Sequence, residues 1–347
     1  MNTALIHESE HLQFREVARG FVREKITPVH EDWERASCLD RSLFTEAGKL
    51  GLLGFSVPDE YGGPGVDDFR YNAILIDEIN RAGHAAAGIA FSLQNDVVLP
   101  YLTDMTTDEQ KARWLPGVVS GETVLGIAMT EPGTGSDLTG IRTSAVRDGD
   151  HYIVNGSKTF ISNGQNGDLF VVATRTSDDP HKGLTLLVVE ADTPGFSRGR
   201  NLEKIGLHAQ DTSELMFTDM RVPVANRLGD EGQGFYQLVH NLPQERLSLA
   251  VGAVAAAEGT SRRHSPTCGN ARPSAPRCPD SRTPSSYWPN CPPNSISHAH
   301  SSTTASPSTS TAGSLPPAPR GSSGGPPNCR CGSPTDASNC TALRLHA

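Results

Sequence analysis

Three short clusters hold the residues of this sequence whose types and spacing could do chemistry. The first is Ile127-Ala128-Met129-Thr130-Glu131-Pro132-Gly133-Thr134-Gly135-Ser136-Asp137, a strand-like run entering a Pro/Gly turn that ends in hydroxyl and carboxylate groups. Such a turn exposes backbone N–H groups and lets a flat or phosphorylated ligand approach the main chain closely. The same letters also suit an ordinary hairpin loop. The second cluster is Asn155-Gly156-Ser157-Lys158-Thr159-Phe160-Ile161-Ser162-Asn163-Gly164. On an extended strand Phe160 and Ser162 share a face, giving a ring system one stacking surface and one hydrogen bond; a plain strand with Phe160 in the core fits equally. The third is Asn241-Leu242-Pro243-Gln244-Glu245-Arg246-Leu247. Asn241 is expected to cap a helix whose first turn holds Pro243 and Glu245. By position alone, Glu245 more often complements a helix dipole than acts as a base.

Two kinds of element must position these clusters. Residues 8–22, 42–53 and 69–79 carry helical stripes, and Thr107-Asp108-Glu109 is the acidic first turn of another helix expected to close before Gly117. The first 120 or so residues are therefore mainly helical. The pattern then changes to short β-rich runs at 123–129, 143–147, 151–154, 169–174 and 184–190. Asp148-Gly149-Asp150 joins two of them as a tight hairpin, and Asn155-Gly156 marks a further turn. Helical period returns from Gly232 through Phe235, Leu238 and Val239, and again through Leu247, Leu249, Ala250 and Val254. The expected fold class is α+β: an N-terminal helical domain (1–122), a central β-barrel-like domain (123–231), the truncated start of a C-terminal helical bundle (232–258), and a disordered tail (259–347).

Residues 1–258 hold 22 Lys and Arg against 37 Asp and Glu, an acidic balance that argues against nucleic acid as a partner. No stretch approaches a membrane-spanning length, and the N-terminus lacks the basic and apolar regions of a signal peptide. A single cysteine in that part, Cys38, suits a reducing cytoplasm. Past Gly259 the composition shifts to Ser, Pro, Thr, Gly and Cys, with six of the seven cysteines, 15 of the 25 prolines, and neither Lys nor Glu. Cys329-x-Cys331 is not a usual zinc half-site, so no metal is expected.

Taken together in this order and spacing, the three clusters resemble the acyl-CoA dehydrogenase family over essentially all of residues 1–258. The stretch AMTEPGTGSD matches the family signature and NGSKTFISNG its flavin-contacting strand. GLHAQDTSELMF (206–217) is equally characteristic, and LPQERL resembles the long-chain and isovaleryl branch. The resemblance implies FAD lying between a β domain and a four-helix bundle. It implies that Ala128, Met129 and Thr130 lie along the flavin, with Thr130 bonding its pyrimidine edge. Gly135 and Ser136 would lie near the cofactor pyrophosphate and the pantetheine arm. Phe160 and Ile161 would lie behind the isoalloxazine, and Ser162 would offer a hydroxyl near N5. Glu245 occupies the position from which that branch draws its catalytic base, and Arg246 would help hold the substrate end. The implied reaction is α,β-dehydrogenation of an acyl-CoA to trans-2-enoyl-CoA. The implied acceptor is an electron-transferring flavoprotein, and the implied assembly a homotetramer. Two rivals are a flavin monooxygenase of the same fold, which would not need Glu245, and a non-catalytic partner subunit.

The tail itself re-reads as family sequence in another frame. Taking each codon from its third base, residues 266–275 permit YVRERKAFG and 284–291 permit KFVLAEL. In the second stretch Tyr287-Trp288, Trp288-Pro289 and Asn290-Cys291 force Leu, Ala and Leu. A one-base slip between Ala257 and Pro266 is therefore expected, leaving this chain without the rest of its bundle and inactive. A natural, solvated Pro/Ser/Thr-rich tail is the alternative.

Overall fold

The computed structural model describes residues 8–269, with side chains to Arg263; the expectations made for 270–347 lie outside the described residues. The N-terminal part is helical: α1 (Ser9–Phe21), α2 (His30–Ala36), α3 (Ser42–Lys49), α4 (Phe69–Arg81), α5 (Ala85–Ser92), α6 (Leu99–Asp104) and α7 (Asp108–Ser120). Asp68 caps α4 by accepting from the Arg70 amide, and Thr107 and Gln110 close a reciprocal capping box on α7. Two π-helical stretches, Val22–Ile26 and Leu93–Val98, continue α1 and α5. Helix α7 does not close before Gly117. It runs through Pro116 and Gly117 to Ser120 and stops at Gly121, whose φ is +78°. Gly117 is there for proximity: a Cβ would lie 2.3 Å from the Thr123 hydroxyl.

The strands are β1 (Leu125–Ala128), β2 (Ser144–Asp148), β3 (His151–Ser162), β4 (Leu169–Arg175), β5 (Leu184–Glu190), β6 (Phe196–Asn201) and β7 (Thr212–Pro223). They form one sheet in the order β1-β4-β2-β3-β7-β6, with β5 also on β4. Gly149, at φ +62°, makes the tight β2–β3 hairpin that Asp148-Gly149-Asp150 predicts. Asn155-Gly156, however, is no turn. Strand β3 continues through it with a register shift against β7 between Val154 and Gly156, because the 12-residue partner strand β7 keeps pairing on both sides of the irregularity.

Strands β4 and β5 read as continuous apolar runs because both their faces are covered. Leu169, Val171, Ala173, Leu184, Leu186 and Val188 pack against the helical layer. Phe170, Val172, Leu187 and Val189 join Tyr152, Val154, Leu215 and Phe217 on the other face. A separate apolar cluster ties α1, α3, α4 and α5 together around Phe21, Phe44, Ile79 and Phe91.

The last element, α8 (Gly234–Gly269), is one uninterrupted helix that lies along α4 and α5. It passes through the 258/259 boundary drawn from composition. Gly259 lets it approach α4, since a Cβ would meet the Arg81 carbonyl oxygen at 2.2 Å. Glu258 pairs with Arg81 across the same contact. Asn241 does not cap a helix: it sits two turns inside α8, buried. Tertiary burial against the N-terminal helices extends the helix upstream of Pro243, overriding the local start signal.

Candidate functional site

The first two clusters meet at the ends of β1 and β3. The Thr159 amide donates to the Thr130 carbonyl at 2.9 Å. Beneath this contact lies Lys158, whose side chain has no exposure. Its Nζ donates to the Met129 carbonyl at 3.0 Å and to Glu131 Oε1 at 2.9 Å. Glu131 also accepts from the Arg142 and Thr143 amides at 2.8 and 2.9 Å. Burial brings the Lys158 pKa down to about 8. Burial works to raise that of Glu131, but Lys158 and the Thr143 donors outweigh it and hold the carboxyl below its ordinary value. The pair thus anchors both chain segments that carry Met129, Thr130 and Phe160.

Phe160 is neither in the core nor on a regular strand face. Its backbone takes φ +58° within a second β3–β7 register shift, between Lys158 and Ile161, and its ring is 59% exposed. The bulge breaks the alternation that would have put Phe160 and Ser162 on one face. Ser162 is half-buried and Ile161 buried. Ala128 is buried, while Met129 and Thr130 are half-buried. Glu131 and Thr134 close the following turn by exchanging backbone hydrogen bonds at 2.9 and 3.0 Å. Gly133 and Gly135 border open space, with nothing within 4 Å of an added Cβ, and Ser136 is exposed. An exposed aromatic on strained backbone beside an open glycine turn suits a flat ring with a phosphorylated arm.

Glu245 stands apart from these segments, on the buried face of α8. It is 8% exposed, and its Oε1 accepts from the hydroxyl of fully buried Tyr101 at 3.1 Å. Burial raises the carboxyl pKa, opposed by the Tyr101 hydrogen bond and the charge of Arg246. Among the described residues no salt bridge reaches it. Arg246 itself is exposed.

One turn further along, Ser248 bonds to fully buried Asp96 and lies 2.5 Å from the Ser92 hydroxyl. Asn72 donates to Asp96 at 2.5 Å, and Gln244 donates to the Asp96 carbonyl at 3.1 Å. Burial pushes the Asp96 pKa up to about 6 against these donors. This seam fixes α8, and with it Glu245, to the helical layer.

Lys158, Tyr101 and Asp96 carry site geometry that the sequence reading did not assign. Lys158 left one signal, a charged residue inside a β-rich motif. Tyr101 and Asp96 left none, because their contacts to α8, with Glu245 and Ser248, join residues more than a hundred positions apart.

A helical layer on a twisted sheet, with a recessed carboxylate on a following helix and an open glycine turn beside an exposed ring, defines a class of flavoenzyme-like scaffolds. Comparison with known proteins names it. Family models for the acyl-CoA dehydrogenase N-terminal and middle domains match residues 8–122 and 126–220. The mitochondrial long-chain specific acyl-CoA dehydrogenase of Sus scrofa is 45% identical over 256 residues, covering 73% of this chain and 59% of that protein. The crystal structure of an acyl-CoA dehydrogenase from Geobacillus kaustophilus superposes with a TM-score of 0.76 at 43% identity, covering 86% of this chain and 77% of the other. An acyl-CoA dehydrogenase from Bacillus anthracis, complexed with FAD, matches at 33% identity and a TM-score of 0.66, covering 72% and 42%. The chain belongs to the acyl-CoA dehydrogenase family. No helix among the described residues is long and apolar enough to cross a membrane.

Proposed function

We propose that this chain derives from an FAD-dependent acyl-CoA dehydrogenase that converts an acyl-CoA thioester to trans-2-enoyl-CoA, with Glu245 as the base. The observation that carries the reading is a recessed carboxylate, raised in pKa by burial and bonded to a neutral phenol. Removing a proton α to a thioester needs such a carboxylate in a water-poor place. FAD, when bound, supplies the acceptor for the β-hydride. Phe160 offers it a stacking face, with Ile161 beside it. Thr130 and Ser162 offer hydroxyl hydrogen bonds, and Ala128 and Met129 a wall. Gly135 and Ser136 leave room and donors for the phosphorylated arms, and Arg246 supplies positive charge toward the substrate end. The physiological setting that goes with this reading is the cytoplasm, an electron-transferring flavoprotein as acceptor, and a homotetramer for the intact enzyme.

The change of text past Gly259 is read as a one-base slip, and the chain as it stands is expected to turn over little or no acyl-CoA. Resequencing codons 255–268 tests the slip directly. Mixing the flavin-loaded protein anaerobically with palmitoyl-CoA or isovaleryl-CoA tests the reaction through bleaching of the oxidised flavin band. In the frame-corrected protein, Glu245→Gln should keep FAD and slow bleaching by about 10²-fold or more, the scale of a lost general base. Unchanged bleaching in that variant would remove Glu245 from its role. A slipped chain that purifies yellow and active would show that the missing bundle matters less than its lost contacts imply.

A further inference from the structure

We propose that Tyr101 is a positioning residue for Glu245: its hydroxyl holds the carboxylate in place on α8 and favours its ionised form. The inference deepens the reading of Glu245 as the base and rests on it.

The geometry is specific. Tyr101 has no exposure, and the Glu245 contact at 3.1 Å is the hydrogen bond its hydroxyl donates. A buried phenol of this kind needs a partner. Its direction is set by α6, which begins at Leu99 with Pro100 next and follows the π-helical stretch Leu93–Val98. That stretch carries Asp96, which is tied to Ser248 one turn beyond Glu245. Phenol and carboxylate are therefore fixed to the same two elements, and neither can drift without breaking the Asp96–Ser248 contact.

Burial raises the Tyr101 pKa, and the Asn241 side chain, one turn before Glu245 on the same buried face, works against that rise. The groups that bear on the Glu245 charge are Tyr101 from α6 and Arg246 on α8 itself. Of these, Tyr101 alone bonds to the carboxylate.

A double-mutant cycle on the full chain tests this without turnover, using Tyr101→Phe, Glu245→Gln and the pair. The readout is unfolding midpoint from about pH 5 to about pH 8, a span above the ordinary carboxylate range. The sign follows from burial. Because the folded pKa of Glu245 is raised, its stabilising contribution is complete below the ordinary carboxylate range and is lost as pH rises through the folded value. Tyr101→Phe removes the donor that favours the charged form, so the drop in midpoint with rising pH should be larger than in the parent. With Gln at 245 no carboxyl titrates beside the Tyr101 hydroxyl, and Tyr101→Phe should then shift the midpoint by the same amount at every pH, Asp96 titrating alike in both.

A ring-fluorinated tyrosine at position 101, a stronger donor of the same shape, should do the reverse of Phe and shrink the drop. That variant decides the matter if Tyr101→Phe does not fold. A pH-independent effect of Tyr101→Phe that is the same in both backgrounds, with no effect of fluorination, would make Tyr101 a packing residue only and overturn the proposal. Failure of the underlying reading looks different: in the frame-corrected protein Glu245→Gln keeps acyl-CoA turnover while the Tyr101–Glu245 coupling stands.

Discussion

Replacing Lys158 with methionine should be among the most damaging single substitutions in the β domain. Lys158 and Glu131 are 0% and 8% exposed and meet at 2.9 Å. Truncating one partner strands the other as a buried charge, a loss of about 3–5 kcal/mol. Glu131 keeps the Arg142 and Thr143 amides as donors, which places the loss at the lower end, about 3 kcal/mol. The Met129 carbonyl also loses its donor, adding about 1 kcal/mol. The assay is chemical denaturation at neutral pH, with the slope checked for two-state behaviour. Adding Glu131→Gln to Lys158→Met should recover more than half of the loss, because the double variant buries no charge. The pH dependence has a definite sign. The folded pKa of Lys158, about 8, lies below its ordinary 10.5. The stabilising contribution of its neutral form is therefore complete above the ordinary value and is lost as pH falls toward about 8. A Lys158→Met chain within about 0.5 kcal/mol of the parent, the range of an ordinary surface change, would refute the view that this pair anchors the two segments.

Three further expectations follow from the same geometry. Phe160→Ala should leave unfolding free energy within about 0.5 kcal/mol of the parent, since the ring is mostly exposed. FAD retention on gel filtration should nevertheless fall. Asp96→Asn should flatten the acid limb of stability: protonated Asp96 contributes fully below the ordinary 3.8, and that contribution is lost as pH rises through about 6. Midpoints measured across that interval should therefore converge at its acid end and favour the Asn variant at its upper end. Gly259→Ala should cost about 1–3 kcal/mol by forcing a methyl against the Arg81 carbonyl; a neutral result in denaturation would mean that α8 does not dock on α4 beyond the compositional break.

Local signals were enough for much of this architecture. The apolar stripes of 8–22 and 69–79 coincide with α1 and α4, and the Asp148-Gly149-Asp150 turn with the β2–β3 hairpin. The period of the side chains is set by the element itself, so a helix or hairpin leaves its mark within a few residues. The π-helical stretches and strands β6 and β7 were not legible. The β3 partners of β7 lie 50 to 72 residues earlier in the chain, and no neighbour in sequence reports them.

The sequence by itself determined the family, through residue types at fixed spacing that no fold description is needed to see. It also put Glu245 forward, as the base through the family resemblance and as a dipole-complementing residue by its position near a presumed helix start. Tertiary structure decided what kind of carboxylate it is. Packing α8 on the N-terminal helices turned a presumed first turn into a helix interior and moved Glu245 from solvent to burial. It also brought the Tyr101 hydroxyl to it from 144 residues away. The same holds for Phe160: its letter promised an aromatic, but only the β3–β7 register shift put the ring outside. Charge state and exposure depend on what surrounds a group in space, and that environment is assembled from parts of the chain far apart in sequence.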